Sequence, residues 1–297
     1  MCPDTPILNF LCQIVTLNEH FSWQIVSDYL FRDFIITAVY LTVGLSVLSQ
    51  LFGTLIGLLL YFLRRARLGP LRWFANAYIW FFRGTPLLVQ MLMIYEIIPY
   101  LNLVHPLATI NFFPHIGYPQ VTMDSFLAAL AALSLNEGAY MAEIVRAGID
   151  SIEVGQMEAA KSLGMTYFLA MRRIVLPQAA RVIIPPLGNE FNNMLKTSSL
   201  ASVIALTELL NTARLVGAPQ FRILELYVVA AFWYLVMTTI WTFIQAYIER
   251  RLNVSTLDVG TTQAGFLNRM IGFGGRQRPA EVAGEAVAKL PADRGAR

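Results

Sequence analysis

The sequence predicts an all-α membrane protein of about five spanning helices, with its N-terminus outside and its C-terminus in the cytoplasm. Three observations carry that expectation. Hydrophobic residues make up 56% of the chain and charged ones only 14%, whereas soluble domains are about a quarter charged. Two long stretches, 34–63 and 226–248, contain no Asp, Glu, Lys or Arg. Basic residues gather beside alternate hydrophobic segments, as the positive-inside rule requires of a multi-pass chain.

Taken in order, residues 1–32 form an N-terminal extension of mixed polarity. Within it FSWQIVSDYLF reads as a short amphipathic helix at the membrane surface. MCPDTPILNF lacks the basic segment of a cleavable signal. The first span, 34–63, exceeds the hydrocarbon core of about 30 Å at a rise of about 1.5 Å per residue. Three further spans are expected at 84–101, 125–145 and 173–195, each carrying a charge or proline that must face protein or water. The fifth, 226–248, ends at Glu249, Arg250 and Arg251.

Arg64, Arg65, Arg67 and Arg72 follow the first span; Arg146, Lys161, Arg172 and Arg173 lie between the third and fourth. These sides are cytoplasmic by their charge. The segment 101–124 has no Lys or Arg and reads as an external loop, although Lys196, Arg214 and Arg222 also fall on the external side. Residues 252–297 are polar and rich in Gly, Ala and Pro, so they are expected to form a disordered cytoplasmic tail. The domain reading is therefore an extension (1–32), a transmembrane domain (33–251) with a long cytoplasmic loop (150–177), and the tail.

Several functional classes lose support at once. A net charge of +3 without basic-aromatic runs gives no basis for nucleic-acid binding. The two cysteines, Cys2 and Cys12, cannot frame a zinc site. No G-x-S-x-G or H-E-x-x-H occurs, and the three histidines, His20, His105 and His115, lie outside the expected spans, so an intramembrane hydrolase is disfavoured. No internal repeat of the kind found in single-chain secondary transporters is evident.

The cytoplasmic loop holds the most specific signal, EAAKSLGMTYFLAMRRIVLP from Glu158 to Pro177. Small Ala159 and Ala160 permit close approach of a partner, Gly164 allows a sharp turn, and Pro177 fixes the start of the next span. That is the chemistry of a docking element, although a plain interfacial helix has the same composition. Glu158-Ala159-Ala160, Gly164 and Ile174-x-Leu176-Pro177 resemble the EAA loop of the membrane subunits of bacterial ABC importers. Arg83-Gly84-Thr85-Pro86, Asn136-Glu137-Gly138-Ala139-Tyr140, Gly188-Asn189-Glu190 and Lys196-Thr197-Ser198-Ser199 extend the resemblance to the polar amino acid permeases of the histidine, glutamine, glutamate and arginine group.

The resemblance implies a type I importer permease in the bacterial cytoplasmic membrane, pairing with an identical or homologous permease. Its EAA loop would dock on a separate ATPase subunit, and an extracytoplasmic binding protein would deliver the amino acid. The chain has no G-x-x-x-x-G-K-[ST] to cradle a nucleotide. ATP and Mg are accordingly expected on the ATPase subunit, with no cofactor in this chain and no enzymatic activity of its own.

The remaining candidates are polar residues inside the expected spans. Asn189, Glu190 and Asn193 fall three or four residues apart and can share one helix face. An unpaired carboxylate at that depth must face a cavity or a partner, so they read equally as a substrate path or as hydrogen bonding between two permeases. Glu137, Tyr140, Thr85 and Gln90 are further path candidates. Glu143 and Arg146, three apart, are expected to pair, and Arg83 to reach the headgroups. Lys196 to Ser199 reads as a gate or as a simple helix end. An ion-coupled amino acid carrier or channel is the alternative class, in which Glu137 and Glu190 would carry protons; it gives the EAA loop no task.

Overall fold

The computed structural model describes residues 21–97 and 123–252, and every regular element among them is helical. A second unit, Ser255–Arg297, lies outside them. So do Cys2, Cys12, His20, His105, His115 and nearly all of the expected external loop. In chain order, α1 spans Trp23–Leu30, α2 Asp33–Arg64, α3 Gly69–Gly84, α4 Leu87–Ile97 and α5 Met123–Asp150. Then come α6 Val154–Ser162, α7 Tyr167–Ala170, α8 Leu176–Thr197, α9 Leu209–Gly217 and α10 Ile223–Arg251.

Helices α2 and α10 are each long and apolar enough to cross a membrane alone, and the number rises to four if each of two bent pairs makes one span. Four hydroxyl side chains within α2 are satisfied along the helix itself. Thr37, Thr42, Ser46 and Thr54 each donate to the carbonyl four residues back, at 2.7 to 2.9 Å.

The centre of the fold is the seam between α2 and α5. A Cβ added at Gly53 would stand 2.6 Å from Glu137 Cβ, and one at Gly138 would stand 2.5 Å from Ile56 Cγ2. Gly57 is pressed against Met141 and the Ala142 backbone in the same way. As the α2 number rises the facing α5 number rises with it, so the two helices run parallel. Gly53-x-x-x-Gly57 is thus a small-residue motif that lets two backbones approach, the packing device available where lipid removes the hydrophobic drive. On one side of this seam Leu41, Leu45, Met91, Phe126, Leu133, Met194 and Leu206 form a shared core.

The second expected span, 84–101, is corrected by the structure. Gly84 does not open a helix; it closes α3, and α4 leaves at 110° to it. Pro86 causes the break, because a residue before proline is driven out of the helical region, and Thr85 is extended at φ −116°, ψ 147°. Gln90 then clamps the bend. Its Nε2 donates to Phe82 O and Thr85 O at 3.0 Å and lies 2.7 Å from Thr85 Oγ1, while its Oε1 accepts from Asn136 Nδ2 at 3.0 Å.

The expected surface helix near the N-terminus is present as α1, but it also packs on protein. Val26 joins Leu226, Val229 and Ala230 of α10 in one cluster, and Trp233 Nε1 donates to Leu30 O at 2.8 Å. Farther along, α8 docks on α10 through Gly188, where a Cβ would meet Gln245 Cδ at 2.6 Å. Trp241 Nε1 donates to Gly188 O at 2.7 Å, and its ring lies 4.3 Å from that of Phe191.

The turn between α9 and α10 holds a strained residue. Phe221 has φ +55° and is 94% exposed. Phe221 N donates to Ala218 O and Arg222 N to Gly217 O, the paired bonds of a helix-ending motif whose left-handed position normally takes glycine. Phe221→Gly is therefore expected to raise the stability of the detergent-solubilised protein by about 1 kcal/mol, since a left-handed conformation costs a side chain about 1–2 kcal/mol. A thermal-unfolding midpoint that falls on substitution would show that the phenyl ring supports the fold.

Candidate functional site

Two sets of residues carry chemistry: the loop after α5 and the polar groups between α2, α5 and α8. In the loop, α6 is short, with Ala160 and Met157 turned to its own protein. Ala160 is buried, and Met157 packs with it towards the cluster of Tyr61, Val145, Ile149, Val175 and Ala179. This corrects the expectation that both alanines open to a partner: Ala159 is exposed, but Ala160 lies about 100° around the helix and faces inwards.

The end of α6 is shaped by Gly164. Met165 N donates to Ala160 O at 3.1 Å and Gly164 N to Lys161 O at 2.9 Å, the two bonds of a Schellman motif, with Gly164 at φ +80°. The expected sharp turn is present. Thr166 Oγ1 then caps α7, accepting from Leu169 N at 3.4 Å. Around the turn stand large apolar side chains with no protein over them: Leu163 is 83% exposed and Phe168 74%, with Val154 and Tyr167 also open.

Pro177 sits in the first turn of α8, inside a helical run that begins at Tyr167. Proline has no N–H for the bond to Arg173 O, and its ring would crowd that carbonyl. The run accommodates it with a π turn over Met171–Val175 immediately before. Ile174 is half-buried there and Leu176 exposed; Glu158, Ala159 and Gly164 are exposed as well, while Ala160 and Val175 are buried.

At the same end, α2 and α5 are tied by charge. Glu143 pairs with Arg64 and with Arg146, as expected for the latter, and Asp150 pairs with Arg65 at 3.1 Å and Arg146 at 3.2 Å. Such half-exposed pairs contribute about 0–1 kcal/mol each. Their use is to fix the relative height of the two helices.

Between the helices, the expected path residues are divided. Asn189 Oδ1 accepts from Gln245 Nε2 of α10 at 3.2 Å, whereas Glu190 lies one position farther along the helix. Neighbouring residues diverge by about 100° around a helix, so Asn189 looks to α10 and Glu190 away from it. Glu190 is half-buried and Asn193 exposed. Glu137 is buried against α2 and accepts from Gln50 Nε2 at 3.0 Å. Tyr140 carries Arg83 over its ring, the guanidinium carbon 5.4 Å from the centroid. Thr85 and Gln90 come together only at the α3–α4 bend, linked to α5 by Asn136.

Lys196, Thr197, Ser198 and Ser199 form a helix end: the three hydroxyls donate to the carbonyls of Asn193, Leu195 and Lys196. Sequence reasoning missed Glu208 altogether. It is buried and caps α9, accepting from Leu210 N at 2.9 Å, Asn211 N at 2.8 Å and Tyr234 OH at 2.8 Å. Gln50 was missed too, although a lone glutamine in a charge-free span was the signal. Among the described residues no group of His, Cys, Asp or Glu is placed to hold a metal ion.

Residues 53–254 match the family described as the binding-protein-dependent transport system inner membrane component. The chain belongs to that family, and it is the permease subunit of an amino acid ABC importer. It is 41% identical over 236 residues to the arginine transport system permease protein ArgU of Corynebacterium glutamicum, covering 78% of this chain and 72% of that one. The L-cystine transport system permease protein TcyB of Bacillus subtilis is 38% identical over 240 residues, 80% of this chain and 94% of the relative. A crystal structure of an amino acid ABC transporter with histidines is 37% identical, with a TM-score of 0.62 over 73% of this chain and 94% of that one. A methionine ABC transporter at 17% identity and a TM-score of 0.57 shares the fold. The ion-coupled carrier reading gives way to this membership; the chain is a transport subunit and not an enzyme.

Proposed function

We propose that this permease forms the path of a polar amino acid across the bacterial cytoplasmic membrane and is driven by a separate ATPase subunit docked on the α6–α7 turn. The observation that carries the coupling reading is the Gly164 turn with Leu163 and Phe168 held out from it. Large apolar groups on a loop whose other face is anchored to its own protein are what a docking partner covers. Glu158, Ala159, Ala160, Gly164, Ile174, Leu176 and Pro177 build and support that element. ATP and Mg are then held by the ATPase subunit, a second permease completes the path, and an extracytoplasmic binding protein supplies the substrate. Five spans with the N-terminus outside put the α6–α7 turn and Arg250–Arg251 on the ATPase side.

Within the path, Glu190 and Asn193 offer an acceptor and an amide on one open helix face, with Asn189, Glu137, Tyr140, Thr85 and Gln90 around or behind them. Glu190→Gln keeps the shape and removes the charge. In ATP-loaded proteoliposomes holding permease, ATPase and binding protein, it is expected to weaken substrate-dependent uptake by about 1.5–3 kcal/mol, the worth of a hydrogen bond to a charged group. Poor recovery of the complex with an unaltered concentration dependence would instead assign Glu190 to the contact between permeases.

A further inference from the structure

The turn from α2 into α3 leaves two guanidinium groups without a counter-charge. Among the arginines near it, Arg64 pairs with Glu143 and Arg65 with Asp150, and Arg146 bridges both carboxylates. Arg67 and Arg72 are exposed, and among the described residues neither side chain makes an ion pair or a hydrogen bond. Leu68 is the capping residue of α3, so Arg67 precedes the cap and Arg72 is the fourth residue of the helix. Side chains at those two positions commonly pack on one another, and when apolar they staple the entering chain to the helix. Here both are cations, and like charges at neighbouring positions repel unless an anion lies between them.

The surroundings decide which anion. The 32 residues of α2 rise about 48 Å against a hydrocarbon core of about 30 Å, so its ends reach the headgroup layer. Large apolar groups stand beside the arginines in the chain: Phe62, Leu68 and Trp73 are 66%, 64% and 73% exposed. Among the described residues the indole N–H of Trp73 has no acceptor, whereas Trp233 and Trp241 donate theirs to Leu30 O and Gly188 O. An apolar ring with a free N–H suits the membrane–water interface. Dissolved phosphate would neutralise the guanidinium groups and leave the apolar ones in water. A phospholipid covers both, and a zwitterionic headgroup would add its own ammonium to a place that already holds two cations.

We propose that Arg67, Arg72 and Trp73 form a binding site for an anionic phospholipid, with the headgroup phosphodiester held between the two guanidinium groups. Guanidinium matches phosphate with two parallel N–H···O bonds, which a point charge cannot do. The indole and the side chains of Phe62 and Leu68 then meet the glycerol region and the upper acyl chains.

The test is native mass spectrometry of the purified permease–ATPase complex titrated with phosphatidylglycerol or with phosphatidylcholine of the same acyl chains. The wild type is expected to bind phosphatidylglycerol at least about tenfold more tightly. Arg67→Gln and Arg72→Gln should each lower that affinity by about fivefold and the double variant by about 25-fold, with little change for phosphatidylcholine. Arg250→Gln combined with Arg251→Gln removes the same charge from the end of α10 and should leave the preference intact. Equal affinity for the two lipids in the wild type overturns the proposal even if no variant can be purified, and the single variants carry the test if the double one fails to assemble. An equal loss in the Arg250 and Arg251 variant overturns it in favour of a diffuse attraction to basic surface. Displacement of phosphatidylglycerol by inorganic phosphate overturns it in favour of a free-anion site. Loss of the ATPase subunit from the Arg67 and Arg72 variant, at unchanged lipid preference, assigns the two arginines to a protein contact instead.

Discussion

Gly164→Val is expected to leave the permease in the membrane and yet separate it from its ATPase subunit, while Gly164→Asn keeps both association and uptake. The reasoning is conformational. Gly164 sits at φ +80° with nothing within 4 Å of where a Cβ would stand, so volume is no obstacle and only the backbone objects. A left-handed residue costs an ordinary side chain about 1–2 kcal/mol, and a β-branched one more, while asparagine visits the region readily. Valine should unwind the Schellman bonds from Met165 and Gly164 to Ala160 and Lys161, and Leu163 and Phe168 would lose their fixed positions. Co-purification of the ATPase and ATP-driven uptake are the two readouts. If valine and asparagine behave alike in both, the turn is a plain connection and the docking reading falls.

Gly57→Leu should have the opposite character, a failure of folding and not of coupling. Its Cβ would run into Met141 and the backbone of Ala142, neither of which can retreat without parting α2 from α5. Overpacking of this kind commonly costs about 1–3 kcal/mol, and more where backbone is the obstacle. Loss of folded protein, read as aggregation on size-exclusion chromatography in detergent, is the expected result. Gly44→Leu is the matched control, because it lies on the same helix with open space around it and should purify normally. Recovery of Gly57→Leu at wild-type levels would mean that the α2–α5 approach is not needed.

The contrast between these two glycines shows how unevenly the sequence can be read. Gly164 was legible because its spacing from Glu158-Ala159-Ala160 and from Pro177 is local, and a turn is a local event. The α2 and α10 spans were legible for a similar reason: a stretch without charge states its own solvent. Gly57 was not legible as a packing residue until Met141, 84 positions along the chain, was found beside it. The error at 84–101 has the same origin. Apolar content continued past Gly84, but Pro86 bent the backbone by 110°, and composition does not report direction.

The polar residues divide in the same way. That Glu137 and Glu190 must be compensated follows from their position in apolar surroundings, and the sequence states that much. Which groups compensate them depends on helices brought together from distant parts of the chain. Asn189 and Glu190 are neighbours in sequence but turn to different partners, whereas Gln50 and Glu137, 87 residues apart, share a hydrogen bond. Glu208 passed unnoticed because its partners are backbone N–H groups and Tyr234, which only the turn after Ala205 assembles. The sequence by itself determined the solvent, the helical class, the family and the turn at Gly164, since each rests on composition or on residues within a few turns of one another. Tertiary structure alone decided the small-residue seam, the inward face of Ala160 and the hydrogen bond from Gln50 to Glu137, because those are properties of facing surfaces, and a surface exists only once two helices have met.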